Sequence, residues 1–173
     1  MSKRILVAYV SKHGATKEMA EKIAEELRRS GLNVDVSSPN GYADRAAGYD
    51  AVVFGSAVYF GSWRKKAIAF LHAWEKLADA PPIWLFFSGP TGDVDPKAQT
   101  MGGQGIPERQ RPVIERIKPR DIAFFRGKVD ATQLNFLESW ALKKVKAPLG
   151  DFRDWSAISS WATTVAEAIR RQA

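Results

Sequence analysis

The stretch that decides the fold reads Ile5-Leu6-Val7-Ala8-Tyr9-Val10, followed by the turn Ser11-Lys12-His13-Gly14-Ala15-Thr16. The first six residues are a continuous apolar run of strand length, which is typical of a strand buried on both faces of a parallel sheet. Apolar residues then recur at three- and four-residue spacing from Met19 to Leu27, which predicts an amphipathic helix that ends near Gly31. A strand, a turn and a helix in this order form the first half of a β-α-β unit.

The rest of the chain repeats this alternation. Further strands are predicted at Leu32–Val36, Asp50–Gly55, Ile83–Phe87 and Asp121–Phe125, and further helices at Trp63–Leu77, Val113–Ile117, 134–146 and Trp155–Arg170. The last helix is capped by Asp154, or by Asp151 if it starts earlier. Strands separated by helices predict a parallel sheet with helices on both faces. We therefore expect an α/β three-layer sandwich, one domain over residues 1–173, with 134–150 an extra element in the last crossover.

The composition limits the chemistry. The chain has 173 residues, 45% of them hydrophobic, and no cysteine, which excludes disulfide scaffolds, iron–sulfur clusters and thiolate catalysis. Its two histidines, His13 and His72, are far apart in sequence, and no metal site is predicted. Redox chemistry would therefore need an organic cofactor. The net charge of +7 suits anionic partners, and the alternative is a solvated basic surface.

The sequence also bears on location. No apolar run reaches the roughly 18 residues that span a bilayer. Residues 1–4 lead directly into the first strand without the pattern of a signal peptide. We expect a cytoplasmic protein, with peripheral contact with the anionic inner face of the cell membrane left open. No nucleic-acid-binding motif is found, so nucleic acid is not predicted as a partner.

Ligands of an open parallel sheet bind at the carboxyl ends of the strands, so the turns after the first, third and fourth strands should meet at one site. The first turn, residues 11–16, leads into a helix N-terminus, whose free N–H groups and dipole favour an anion such as phosphate. Gly14 lets the backbone approach the ligand closely. The alternative is a helix start without a ligand, capped by Thr16. The spacing matches neither a P-loop nor a dinucleotide fingerprint.

The other two turns have different compositions. The second, Gly55-Ser56-Ala57-Val58-Tyr59-Phe60-Gly61-Ser62-Trp63, carries three aromatic rings, which either lie open for a flat heterocycle or fold into the core. The third, Ser88-Gly89-Pro90-Thr91-Gly92-Asp93, offers backbone amides and small hydroxyls that can hydrogen-bond the edge of a heterocycle. Asp93 either accepts a hydrogen bond from the ligand or closes an Asx turn.

Together the three turns match a flat ring on a phosphate-tipped tether, such as flavin mononucleotide (FMN). No nucleophile or acid–base pair is predicted, so the catalytic residues are left unassigned. The predicted cofactor-binding residues are Ser11, Lys12, His13, Gly14, Ala15, Thr16, Ser56, Ala57, Val58, Tyr59, Phe60, Gly61, Trp63, Ser88, Gly89, Pro90, Thr91, Gly92 and Asp93.

These turns resemble those of the flavodoxin-like family, whose phosphate turn commonly reads Thr/Ser-x-Thr-Gly-x-Thr. His13 replaces the middle hydroxyl residue of that pattern. The resemblance implies a five-stranded parallel sheet in the order 2-1-3-4-5. It also implies that the backbone of 12–16, with the hydroxyls of Ser11 and Thr16, holds the phosphate. Residues 57–60 would then flank the isoalloxazine ring, and residues 88–93 would line its other side.

Within this family, residues 55–63, 125–130 and 150–155 resemble the menaquinone-dependent protoporphyrinogen oxidase branch. That resemblance implies electron transfer to a membrane quinone and oxidation of a porphyrinogen. We expect an FMN-dependent oxidoreductase acting between a small organic substrate and a quinone-type acceptor. The alternatives are a non-enzymatic electron carrier that docks on redox proteins, and an oxidoreductase that uses the deazaflavin F420.

Two groups of basic residues could serve such a function. One follows the second turn and comprises Arg64, Lys65 and Lys66. The other comprises Arg109, Arg111, Arg116, Lys118 and Arg120. The second group could recognise substrate carboxylates or anionic lipid, and the alternative is a solvated loop and helix face.

Overall fold

The computed structural model describes residues 2–38, 46–59, 62–89, 91–92, 95, 106–144 and 146–172. The strands are β1 (Arg4–Val10), β2 (Asn33–Ser37), β3 (Ala51–Tyr59), β4 (Ser62–Trp63), β5 (Ile83–Ser88), β6 (Ile122–Phe125), β7 (Lys128–Val129) and β8 (Gly150–Asp151). The α-helices are α1 (Ala15–Arg29), α2 (Lys65–Glu75), α3 (Arg111–Ile117), α4 (Phe136–Lys144) and α5 (Trp155–Arg171). Short 3₁₀ turns cover Ala46–Gly48, Glu108–Gln110 and Ala131–Gln133.

Five parallel strands form the main sheet, in the order β2-β1-β3-β5-β6. Counted along the chain, these are the second, first, third, fourth and fifth long strands. The predicted α/β fold and the order 2-1-3-4-5 are therefore confirmed. The strand order reverses at β1, which pairs with β2 on one side and with β3 on the other. The carboxyl ends of β1 and β3 meet there, with Val10 paired to Ser56.

Successive residues of each strand enter different cores, because side chains alternate between the two faces of a sheet. Ile5 and Val7 of β1 pack with residues of α1 and α5. Leu6 and Ala8 pack instead with residues of α2 and α3. The continuous apolar run of β1 thus supplies both layers, as expected for a strand covered on both faces. Asp154 caps α5, its side chain accepting a hydrogen bond from the Ala157 N–H at 2.9 Å.

The third strand is longer than predicted. The sequence placed its end at Gly55, but β3 continues to Tyr59. Ser56 pairs with Val10 and Phe87, and Ala57 pairs with Ser88, so these residues extend the sheet and do not begin a loop. Gly55 ends nothing. Its missing side chain leaves the space that the ring of Phe86 fills.

The start of the second helix also differs from the prediction. The helix begins at Lys65 and not at Trp63, because Ser62 and Trp63 form β4, which turns back and pairs antiparallel with β3. Trp63 is 4% exposed, and its ring stacks on Phe87 with the centroids 4.0 Å apart. Of the two alternatives for the rings of this turn, the Trp63 ring takes the one in which it folds into the core, so its predicted place against a cofactor is not supported.

The extra element before the last helix is closed by a short hairpin. β7 and β8 pair antiparallel, with Lys128 opposite Asp151, and they bring together the two ends of the intervening segment. We call residues 128–151 the insert. Its helix, predicted over 134–146, is α4, and it covers Phe136–Lys144.

In the described part of the chain, no helix combines the length and the apolar character that crossing a bilayer requires.

Candidate functional site

The first turn leaves the start of α1 uncovered. Gly14 is the N-cap residue, with a left-handed φ of 84°, and no side chain caps the helix. The Gly14 N–H donates to Ser11 Oγ at 3.0 Å, and a Cβ added at Gly14 would meet nothing within 4 Å. The alternative in which Thr16 caps the helix is wrong, because Thr16 lies inside α1. The first N–H groups of α1 thus donate to no capping side chain, and a helix start of this kind suits an anion.

Thr16 instead joins the first turn to the third. Its side chain is buried, and its Oγ1 lies 2.9 Å from the Oγ of Ser88, which is also buried. This hydrogen bond connects the start of α1 to the end of β5. The Thr16 hydroxyl therefore positions two turns, although the family resemblance implied that it holds phosphate.

In the second turn, the Tyr59 side chain is partly exposed. The tyrosine ring meets His13 edge-on, with the centroids 6.3 Å apart, and the Arg64 guanidinium lies 5.5 Å from the ring centre. Burial raises the pKa of the Tyr59 phenol, with a smaller contribution from the charge of Glu138 against an opposing one from Arg64. Tyr59 therefore stays neutral at physiological pH and offers a flat, uncharged face.

The residues before Tyr59 are less accessible. Ser56 is fully buried, and its hydroxyl donates to the Ala57 carbonyl at 3.0 Å. Ala57 is buried and Val58 is half-buried. Phe60 and Gly61, which were predicted to complete the aromatic wall, lie outside the described residues.

The third turn is held by contacts that require glycine. A Cβ on Gly89 would lie 2.9 Å from the Val58 Cβ, and a Cβ on Gly127 would lie 2.7 Å from the Gly89 carbonyl oxygen. The second turn, the third turn and the end of β6 therefore approach one another closely. Gly92 has a φ of 93°, and Thr91 beside it is buried. Pro90 and Asp93 lie outside the described residues.

The three turns meet at the carboxyl edge of the sheet. Thr16 and Ser88 join the first to the third, His13 and Tyr59 join the first to the second, and Val58 and Gly89 join the second to the third. The structure thus brings together the described candidates except Trp63, which faces the core. Whether they hold a cofactor stays a prediction.

The insert also reaches this site. Glu138 of α4 accepts a short hydrogen bond from the Lys12 ammonium, and its Oε1 lies 3.2 Å from His13 Nε2. Its other oxygen accepts from the Asn135 N–H at 3.1 Å, and its own N–H donates to Asn135 Oδ1 at 2.9 Å. The reciprocal pair with Asn135 is a capping box at the start of α4. One carboxylate thus starts the helix and binds it to the first turn.

The far end of the insert is anchored as well. Pro148 lies against Gly92, where an added Cβ would come within 2.8 Å of its ring. The Arg153 side chain, 3% exposed, donates to Asp151 at 2.6 Å and to Glu18 of α1 at 2.7 Å. Its guanidinium also lies 4.5 Å from the centre of the Trp155 ring. The insert is therefore held to the first turn, to the third turn and to α1.

The sequence pattern predicts an extra element at 134–150 but no site role for it, and no local pattern places Glu138 against the first turn. Two signals were present: the Asn-x-x-Glu spacing of a capping box, and the fact that Glu138 is the only acidic residue between 134 and 149. Neither signal says which distant turn the carboxylate meets.

The basic group from 109 to 120 belongs to α3 and the residues that flank it. Arg116 of α3 is bound to Glu75 of α2, with Nη2 and Oε2 3.3 Å apart. This pair lies on the face of the sheet that α2 and α3 cover. At least part of the group therefore serves packing between two helices.

Acidification should release the insert from the first turn. The Lys12 hydrogen bond, with Asn135 and His13, lowers the pKa of Glu138 from 4.5 to about 2. A carboxylate with a depressed pKa adds stability above its ordinary pKa and loses it as the pH falls through the lower value. We expect Glu138→Gln to reduce the free energy of unfolding at neutral pH, and to flatten its decline between about pH 4.5 and 2. Urea unfolding at several pH values measures both.

Glu167→Gln is the matched control for this experiment. Glu167 is exposed on the outer side of α5 and pairs with Arg171 at 3.4 Å, far from the insert. This variant should keep the wild-type pH dependence. If Glu138→Gln and the wild type lost stability with the same slope between about pH 4.5 and 2, Glu138 would have no such role.

Comparisons with known proteins agree with this architecture. A profile of the family described as flavodoxin domain matches residues 6–156. An uncharacterised protein of Methanocaldococcus jannaschii is 38% identical over 69 residues, which are 39% of this chain and 43% of that protein, less than half its length. Flavodoxin 2 from Bacillus cereus, 16% identical, superposes with a TM-score of 0.60 over 98% of this chain and 99% of that one.

A larger protein contains the same fold as a part. Rubredoxin oxygen:oxidoreductase from Desulfovibrio gigas, 14% identical, superposes with a TM-score of 0.63 over 97% of this chain but only 36% of that chain. At these identities the superpositions show the fold alone. The family profile spans most of the chain, including the first, second and third turns. By that match, and by the strand order of its sheet, this chain belongs to the flavodoxin domain family.

Proposed function

We propose that this protein is an FMN-dependent oxidoreductase that passes electrons between a small organic substrate and a quinone-type acceptor. One observation carries the proposal. The uncapped start of α1, the half-buried Tyr59 and the glycine-lined third turn lie together at the carboxyl edge of the sheet. FMN needs a phosphate site, a flat face and a polar edge at one place, and this edge offers all three.

The start of α1 fits a phosphate group. Gly14, the N-cap residue, is left-handed, no side chain caps the helix, and a Cβ at Gly14 would meet nothing within 4 Å. Ser11 Oγ accepts the Gly14 N–H, which leaves the Ser11 hydroxyl proton to be donated to a phosphate oxygen. Helix N-termini with free amides are common phosphate sites. We assign the phosphate to the backbone of 12–16 and to Ser11.

The neighbouring turns fit the ring. Tyr59 would flank one side of the isoalloxazine with Ala57 and Val58, and residues 88–92 would line the other side. FMN would supply the ring that takes up and releases electrons, while the chain binds it, orients it and excludes water. The Tyr59 phenol, whose pKa burial raises above its ordinary value, is uncharged at neutral pH and adds no negative charge beside that ring.

The insert supports an enzyme over a simple carrier. Residues 125–130 and 150–155 carry the resemblance to menaquinone-dependent protoporphyrinogen oxidases, and they contain β7, β8 and Arg153, which hold the insert in place. A porphyrinogen substrate and a menaquinone acceptor at the inner face of the membrane are therefore part of the proposal. The second candidate is an electron carrier that docks on redox proteins, supported by the match of residues 6–156 to the flavodoxin domain family.

FMN should bind at least about tenfold more tightly than riboflavin, because only FMN places a phosphate on the helix N-terminus and gains charge-assisted hydrogen bonds there. Gly14→Ala should weaken FMN binding by about tenfold, because alanine is strained at a φ of 84° and would turn the amides away. Titration followed by flavin fluorescence measures all three affinities.

Gly31→Ala is the matched control. Gly31 lies at the other end of α1 with a φ of 83° and equally open space, so alanine brings the same backbone strain far from the site. Its FMN affinity should equal that of the wild type. Equal affinities for FMN and riboflavin would contradict the phosphate assignment. A protein that bound deazaflavin F420 but not FMN would point to the other cofactor.

Turnover separates enzyme from carrier. Protein loaded with FMN and supplied with protoporphyrinogen and a menaquinone analogue should oxidise many equivalents of the porphyrinogen. If the bound FMN were reduced once and then reoxidised only by a redox protein, the carrier would be the better description.

A further inference from the structure

The outward face of α4 is apolar at its start and basic at its end. Phe136 is 83% exposed, Leu137 73% and Trp140 58%. Lys143 and Lys144 are exposed in the last turn of the same helix. With 3.6 residues per turn, these five positions fall within an arc of about 120° and form one continuous face. We call them the α4 face.

The opposite side of α4 faces the protein. Glu138, which binds the first turn, points there, and Leu142 is half-buried on the same side. The apolar side chains of the α4 face are therefore not the buried side of an ordinary amphipathic helix. Three such side chains expose several hundred Å², an area that on soluble proteins marks a binding surface.

The charged side chains at the end of the α4 face are all positive. Glu138 is the only acidic residue from 134 to 149, and it is bound to Lys12 and His13. Lys143, Lys144 and Lys146 are therefore not balanced by a carboxylate within that stretch. The Lys144 ammonium lies 5.1 Å from the centre of the Trp140 ring, which is a cation–π contact. Aromatic rings beside lysines are typical of helices that lie in a lipid–water interface.

A cavity of about 430 Å³ opens beside the same face. Leu134, Leu142 and Leu149 line it, together with Lys143 and Lys146. An apolar space flanked by ammonium groups fits the acyl chain and anionic headgroup of a lipid. Leu149, 53% exposed, extends the apolar surface at its rim.

We propose that the α4 face docks this protein on a bilayer containing anionic lipid, with Phe136, Leu137 and Trp140 entering the interface and Lys143, Lys144 and Lys146 binding headgroups. A second copy of the chain fits less well. Pairing two α4 faces would bring like charges together without a carboxylate from residues 134–149 to balance them. This proposal adds to the proposed function the surface through which the protein would reach a membrane quinone. Its biological purpose rests on the proposed function, whereas the binding to lipid itself does not.

Vesicle co-sedimentation of the full chain tests this proposal. Vesicles of phosphatidylcholine with phosphatidylglycerol should bind the protein at least about tenfold more strongly than phosphatidylcholine alone, and added salt should weaken the binding. Phe136→Ser/Trp140→Ser and Lys143→Gln/Lys144→Gln should each reduce it by about fivefold. These side chains are exposed, so thermal unfolding should show intact folds.

Arg170→Gln/Arg171→Gln is the matched control, because it removes the same charge from the far end of α5. Binding by this variant should equal that of the wild type. Equal binding to the two kinds of vesicle, or full binding by both α4 variants, would overturn the proposal. So would a dimer in the absence of vesicles that Phe136→Ser/Trp140→Ser dissociates, because it would identify a second copy as the occupant.

The assay also separates this proposal from the proposed function. It is run with and without FMN. Vesicle binding by a protein that fails to bind FMN would leave docking intact and refute the oxidoreductase. FMN binding without vesicle binding would refute the docking proposal and leave the proposed oxidoreductase intact.

Discussion

Gly55→Ala is expected to lower the free energy of unfolding by about 3 kcal/mol, because it overfills the middle of the sheet. A Cβ at this position would lie 2.0 Å from Cζ of Phe86 on the neighbouring strand β5. The Phe86 ring is fully buried and lies near the rings of Phe125 and Trp161, with centroids 6.4 and 6.1 Å away. Because the Phe86 ring is packed against these neighbours, it cannot move aside to make room for a new methyl group. Urea unfolding measures the loss.

Two further variants make this expectation specific. Gly55→Ala/Phe86→Leu removes the end of the ring that the new methyl group meets, so it should recover part of the stability lost in the single variant. Gly48→Ala adds the same methyl group where nothing lies within 4 Å, and its stability should be close to wild type. A Gly55→Ala protein as stable as Gly48→Ala would show that Phe86 does not fill that space.

Arg153→Met is expected to lower the free energy of unfolding by about 2 kcal/mol and to loosen the insert. The methionine keeps the apolar stem but loses the guanidinium that binds Asp151 and Glu18. Breaking a fully buried ion pair costs about 3–5 kcal/mol, and the loss is smaller here because both carboxylates are partly exposed. Urea unfolding measures the stability, and limited proteolysis reports cleavage between 128 and 151.

Arg153→Lys and Arg171→Met are the controls. Lysine keeps the charge but cannot donate to both carboxylates with a planar fork, so it should restore only part of the stability. Arg171 is 74% exposed and pairs along its own helix with Glu167, so its replacement should change stability by less than about 0.5 kcal/mol. Unchanged proteolysis of the insert in Arg153→Met would show that the arginine does not anchor it.

The fold could be predicted because its strong signals are local. The run from Ile5 to Val10 is apolar at every position, and such a strand has to be covered on both faces. The spacing from Met19 to Leu27 matches the helical period. Once strands and helices alternate, right-handed crossovers leave few strand orders. The meeting of the three turns at one edge follows from the parallel sheet itself.

The errors arose where a residue's role depends on a distant neighbour. Glycine commonly ends a strand, but Gly55 lies inside β3 because the Phe86 ring on another strand needs its space. Trp63 belongs to an aromatic stretch of the sequence, yet the antiparallel pairing of β4 with β3 places its ring on Phe87. The contact of Glu138 with the first turn depends on how the insert folds back, which no local pattern reports.

The shortness of α4 has a consequence for the first turn. Nine residues are too few to stay helical alone in water, so α4 persists only while its contacts with the protein hold it. The carboxylate that begins the helix is the same one that Lys12 and His13 bind. Melting of α4 and release of the first turn are therefore a single cooperative event, and this corner of the molecule opens as one unit or not at all.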